Sequence, residues 1–110
     1  MNWQQLVDIL TAHIPAGSIT TYAEVSNWAY GVPNRNQPVR SLLVGARNNG
    51  HGVLTNRVVG VDGALADLPD GANQQRDQLV AEGVPLTDAG SVDLTAIAPV
   101  VLPRAVPPVA

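Results

Sequence analysis

Residues 21–50 read TYAEVSNWAYGVPNRNQPVRSLLVGARNNG, and this stretch decides the fold. Its first four residues, Thr21-Tyr22-Ala23-Glu24, form a capping-box pattern, in which a hydroxyl and a carboxylate satisfy the free amides of a helix start reciprocally. Val25 and Trp28 give the helix that follows an apolar side, and Gly31 can end it in the left-handed conformation. Val32 to Asn36 reads as a loop. Pro38 belongs in a first helical turn with Asn36 or Gln37 as cap. Val39, Leu42, Leu43 and Ala46 then recur at helical spacing up to Asn48-Asn49-Gly50. Two short helices joined by a brief loop, the second bearing Arg40 and Arg47, have the outline of a helix-turn-helix.

Upstream, Trp3, Leu6, Val7, Leu10 and Ile14 predict a helix over 2–13, capped by Asn2 and stopped by Pro15. Downstream, Val53-Leu54 and Arg57-Val58-Val59 are strand-like, and Asp62-Gly63 offers a hairpin turn between strands. Residues 64–71 read as a loop and 72–82 as a last helix closed by Gly83. A short strand is expected near 91–94. The reading is one α+β, mainly helical domain over 1–94: a winged helix-turn-helix with a short strand pair. A Pro-rich tail, expected to be flexible, covers 95–110.

A chain of 110 residues with 45% hydrophobic and 14% charged residues is an ordinary single globular domain. It contains no cysteine, which excludes disulfides, thiolate metal sites and a thiol nucleophile. His13 and His51 lie far apart, so no metal site is expected, and no organic cofactor is implied. Residues 2–14 lack a basic start and carry Asp8, unlike a signal peptide, and the apolar tail is broken by prolines. A cytoplasmic monomer without membrane contact is the expectation.

The net charge of −3 argues against a nucleic-acid binder, but its distribution does not. All six basic residues are arginine, and Arg35, Arg40, Arg47 and Arg57 fall between Gly31 and Gly60, a stretch with no Asp or Glu. Such asymmetry can make one basic face on an acidic protein.

Four segments carry a resemblance. Residues 14–25, IPAGSITTYAEV, are similar to the "IPxGxVxTYGEIA" segment of the O6-alkylguanine-DNA alkyltransferases, and Val39-Arg40-Ser41 stands at their "ARAVGGAM" helix. Arg57 to Leu65, RVVGVDGAL, resembles "RVIGSDGSL". Gln75-Arg76, Leu79 and Ala81-Glu82-Gly83-Val84 resemble the closing helix. The resemblance covers about residues 2–94 and implies a winged helix-turn-helix that binds DNA through the minor groove. Where those enzymes read Pro-Cys-His-Arg, this chain reads Leu54-Thr55-Asn56-Arg57. A threonine hydroxyl is a far weaker nucleophile than a thiolate, and Asn56 cannot act as a base. Alkyl transfer is therefore not expected. The same exchange defines the alkyltransferase-like proteins, which bind alkylated guanine and pass it to nucleotide excision repair.

The resemblance implies that Arg40 is the finger that enters the duplex as a base flips out, and that Tyr22 crowds the 3′ phosphate and promotes that rotation. Arg35, Ser41 and Arg47 would contact DNA, the two arginines through phosphates. Asn49, Leu54, Thr55 and Leu68 would line a lesion pocket. Asn56 would contact Glu82, and Arg57 would pair within the fold, with Glu82 as a candidate. Without the resemblance, Arg40 reads as a solvent-facing arginine and Tyr22 as an aromatic packed on the first helix. Three departures bear on DNA contact. Leu43-Val44 replaces a small Gly-Gly pair on the recognition helix. Leu68-Pro69-Asp70-Gly71 replaces Tyr-Ser-Gly-Gly. Asp62, Asp67 and Asp70 put negative charge beside the wing. Two further readings stay open: a DNA-binding module without lesion specificity, and a protein-interaction domain derived from the same fold.

Overall fold

The computed structural model describes residues 1–65 and 72–105, with side chains in the last helix from Gln74 onward. Helix α1 (Trp3–His13) starts with the expected Asn2 cap, and the structure makes it reciprocal: the Asn2 side chain accepts from the Gln5 N–H, and the Gln5 side chain accepts from the Asn2 N–H, both at 2.9 Å. Its buried face is Leu6 and Leu10, and it stops before Pro15. Strand β1 (Thr20–Thr21) leads directly into α2 (Tyr22–Tyr30). Thr21 caps α2 through a 3.2 Å bond from the Glu24 N–H, but the reciprocal half of the expected box is absent. The Glu24 carboxylate instead accepts the N–H of Leu102 at 3.4 Å. Gly31 ends α2 at φ 75°, as its position predicts.

Helix α3 (Asn36–Ala46) has no side-chain cap, so neither Asn36 nor Gln37 plays the part expected of it. The turn before it is held from α2: the buried Ser26 hydroxyl accepts the Arg35 N–H at 3.0 Å and donates to the Val32 carbonyl. Val39, Leu42, Leu43 and Ala46 form the buried face of α3. The chain then kinks through Arg47–His51, where Gly50 adopts φ 91°, into a single turn, α4 (Gly52–Thr55).

Three expectations about the strands are corrected here. Val53 and Leu54 are helical, because the Asn56 N–H and the Thr55 hydroxyl both bond back to the Gly52 carbonyl and close a helical turn. No hairpin forms at Asp62-Gly63. Strand β2 (Val58–Val59) pairs in parallel with β1, in the register Thr20↔Val58 and Thr21↔Val59. The Asp-Gly turn forms, with the Gly63 N–H on the Gly60 carbonyl at 2.9 Å. The Gly63 carbonyl then accepts from Val92, which leads the chain away from β2. The strand expected near 91–94 is a single antiparallel bridge, Leu86↔Val92. Helix α5 (Ala72–Ala81) ends at Gly83, φ 82°.

Successive strand residues face opposite sides, and the two-residue β2 uses this to serve two cores. Val58 packs into the larger one with Leu6, Leu10, Val25, Trp28, Val39 and Leu43. Val59 packs into the smaller one with Ile19, Leu79, Val84 and Val92. Leu102, only 3% exposed, belongs to the larger core, so residues 95–105 of the tail expected to be flexible are docked, while 106–110 lie outside the described residues. The Val100 N–H bonds Ile19, the Thr20 hydroxyl bonds the Val100 carbonyl, and the Ala105 N–H bonds Trp28. The apolar Leu102 and these backbone partners dock the segment across β1 and α2.

Candidate nucleic-acid interface

The parallel register determines which residues meet. Tyr22 directly follows β1 and Gly60 directly follows β2, so pairing Thr21 with Val59 brings Tyr22 beside Gly60. The first turn of α3 completes the surround. Residues i and i+4 share a helix face, so Asn36 lies on the same side as Arg40, with Gln37 one step around. The result is an open pocket of about 670 Å3 lined by Tyr22, Asn36, Gln37 and Arg40 on the helical side and Gly60, Val61 and Asp62 on the turn side.

Two of the residues expected at the interface, Tyr22 and Arg40, therefore meet in one pocket. Burial pushes the Tyr22 phenol above its ordinary value, and the nearby Arg40 charge draws it partly back. The phenol thus stays protonated at neutral pH and can donate a hydrogen bond. Arg35, Arg40 and Ser41 are exposed on or beside α3. Arg47 is half-buried and makes one long bond, 3.4 Å, to Gln74 of α5.

The residues expected to form a lesion pocket are not gathered with them. Thr55 is 1% exposed, with its hydroxyl donating to the Gly52 carbonyl at 3.1 Å. Leu54 packs half-buried against the larger core. Asn49 is exposed and donates to the Gly45 carbonyl at 2.7 Å, which closes the end of α3. Leu68, and with it the Leu68–Gly71 loop, Asp67 and Asp70, lies outside the described residues. Asn36, Gln37 and the Gly60–Asp62 turn line the pocket without having been singled out as binding residues. The spacing of Asn36 from Arg40 was a usable signal. The turn carried only the charge of Asp62 as a signal, because its position depends on the β1–β2 pairing.

Arg57 does not reach the interface. It is 8% exposed and grips Glu82 through both Nε and Nη2, the shortest contact being 2.7 Å, while Nη1 donates to the Ile14 carbonyl. The Arg57 guanidinium, first of all, holds the Glu82 carboxyl below the ordinary carboxylate range. The expected Asn56–Glu82 contact is relayed instead: Asn56 donates to Gln78, and Gln78 donates to Glu82. The basic stretch 31–60 therefore presents Arg35 and Arg40 outward, leaves Arg47 half-buried and keeps its fourth charge inside. Leu43 is fully buried, so its bulk fills the core and does not stand on the outer face of the recognition helix.

No protein-family model matches the chain. It is 32% identical over 93 residues to the DNA base-flipping protein of Escherichia coli K12, covering 84% of this chain and 70% of that protein. The DNA base-flipping protein of Shigella flexneri is similar to the same extent. Among solved structures, the chain is similar to S. pombe Atl1 in complex with damaged DNA containing O6-carboxymethylguanine. The TM-score is 0.63 at 25% identity, covering 87% of this chain and 95% of that one.

Proposed function

Because this chain belongs to the alkyltransferase-like family, we propose that it binds duplex DNA through the minor groove, recognises O6-alkylguanine by flipping the base, and flags the lesion for repair without altering it. The observation that carries the reading is the meeting of Arg40 and Tyr22 in one open pocket at the start of α3. Arg40 can enter the stack that a flipped base vacates, and the protonated Tyr22 phenol can bond a backbone phosphate oxygen. Arg35 and Arg47 supply sequence-independent phosphate contacts. Ser41 lies beside Arg40 on the exposed face.

No alkyl transfer belongs to this reading. The chain has no cysteine. Thr55, which stands where the resemblance has the alkyl acceptor, is buried with its hydroxyl engaged, and its neighbour Asn56 has its amide on Gln78. Binding as a monomer and hand-over to nucleotide excision repair proteins complete the proposal.

The test is a fluorescence-anisotropy titration with two short duplexes that differ only in one O6-methylguanine. Binding at least about tenfold tighter to the lesion, roughly 1.4 kcal/mol, is the expected result. Equal affinity would leave a DNA-binding module without lesion specificity, and no binding to either would point to a protein-interaction domain. Arg40→Ala is expected to weaken lesion binding by about tenfold with an unchanged circular dichroism spectrum. An unaltered affinity removes Arg40 from the site.

A further inference from the structure

We propose that Asn36 reads the floor of the minor groove beside the flipped nucleotide: its side-chain amide recognises the edge of a neighbouring guanine, so that affinity depends on the base pairs around the lesion. The inference rests on the reading that the pocket faces DNA with Arg40 in the vacated stack, and it adds a sequence preference to that reading.

An asparagine at a helix start is commonly engaged as a cap, and here it is not. Helix α3 has no side-chain cap, and the Asn36 amide has no hydrogen-bond partner among the described residues. The buried Ser26 hydroxyl holds the turn instead, accepting the Arg35 N–H at 3.0 Å. The Val39 N–H then closes the first turn of α3 on the Arg35 carbonyl at 3.1 Å. The backbone around Asn36 is thus fixed, while its side chain, exposed and lining the pocket, stays uncommitted.

Asn36 and Arg40 share a face of α3, one turn or about 6 Å apart along its axis. Helical side chains lean toward the N-terminus, so the Arg40 side chain inclines over the turn that carries Asn36. With Arg40 in the stack, Asn36 meets the groove floor within two base-pair steps of about 3.4 Å each. In the minor groove, A·T and T·A pairs show only acceptors, and a guanine adds its 2-amino donor. Arg40 has donors only and cannot accept from that amino group. An asparagine amide has both kinds of group: Nδ2 can donate to guanine N3 while Oδ1 accepts from the 2-amino group. Every other base edge leaves Oδ1 without a donor.

The test uses anisotropy titrations with two O6-methylguanine duplexes. In one, the two base pairs on each side of the lesion are guanine·cytosine; in the other they are inosine·cytosine, which lacks only the 2-amino group. The ratio of guanine-flanked to inosine-flanked affinity is expected to fall about fivefold from wild type to Asn36→Ala. Comparing the ratio between the two proteins cancels the easier opening of inosine pairs. The salt slope should not change, because a neutral amide displaces no counterions, and neither should the circular dichroism spectrum. Gln37→Ala, one step around the helix, should keep the wild-type ratio. A ratio that Asn36→Ala leaves unchanged overturns the proposal, including an equal loss on both flanks, which would make Asn36 a backbone contact. Unmodified twins of each duplex separate the two readings. A shifted ratio without lesion preference overturns the lesion reading alone, and lesion preference with an unshifted ratio overturns the role of Asn36 alone. Binding to no duplex overturns both.

Discussion

Arg57→Ala is expected to lower the unfolding free energy by about 2–4 kcal/mol. The pair is largely but not wholly shielded from water, so the value sits somewhat below that for breaking a fully buried ion pair. The substitution leaves the Glu82 carboxylate without its cation, with only the Gln78 and Gly17 hydrogen bonds, and the Ile14 carbonyl without its side-chain donor. Against a total stability of about 5–15 kcal/mol for a domain, that is a large fraction. Chemical denaturation checks it through a fall in midpoint at constant slope. Arg57→Lys, which keeps the charge and loses the two-pronged geometry, should fall between. The pair also has a pH signature. Folding lowers the Glu82 pKa below the ordinary carboxylate value, so its contribution is fully present above that ordinary value and is lost as pH falls through the depressed one. Wild-type stability should therefore decline on acidification more steeply than that of Glu82→Gln. Parallel pH profiles would remove Glu82 from the acid response.

Gly63→Ala should be as damaging, by about 3 kcal/mol, through two separate costs. The residue sits at φ 86°, a conformation that L side chains rarely adopt, and an added Cβ would run into the Val92 carbonyl oxygen. That oxygen belongs to backbone, so a side-chain rotation cannot relieve the clash. Gly83 is the internal comparison. It has almost the same φ, 82°, but nothing within 4 Å of an added Cβ. Gly83→Ala should therefore cost only about 1 kcal/mol, the strain of the left-handed conformation alone. Equal losses at the two sites would mean that the approach to Val92 carries no weight. Near-neutrality at Gly63 would mean that the turn rearranges.

The helical half of this fold was legible because its signals are local. The Asn2 cap, the Gly31 and Gly83 ends and the Val39–Ala46 spacing each need only a few neighbouring residues to be read. The strand half was not, since the partner of Val58-Val59 lies far back in the chain at Thr20-Thr21. A two-residue strand carries no alternation from which parallel pairing could be inferred. Leu43 shows periodicity and resemblance pulling apart. Helical spacing assigns it to the core, the family comparison assigns its place to a groove-facing pair, and its complete burial agrees with the spacing. At the site, Tyr22 and Arg40 were legible from the resemblance. The burial of Thr55 was not, because it follows from a back-bond within one helical turn that no pattern of polar and apolar residues records.

The docked C-terminal segment orders events during synthesis. The Thr20 hydroxyl finds its acceptor at Val100, 80 residues later, and Leu102 is among the last described residues. A ribosome thus has to extrude the chain through Leu102 before the larger core can be finished. Closing so long a loop delays the step that completes it more than it weakens the finished fold. Until then β1 and the start of α2 lack their cover, and the nascent chain presents apolar surface from α1 and α2 to the cell. A release boundary drawn at residue 94, where the sequence reading ends the domain, would leave every molecule in that unfinished state.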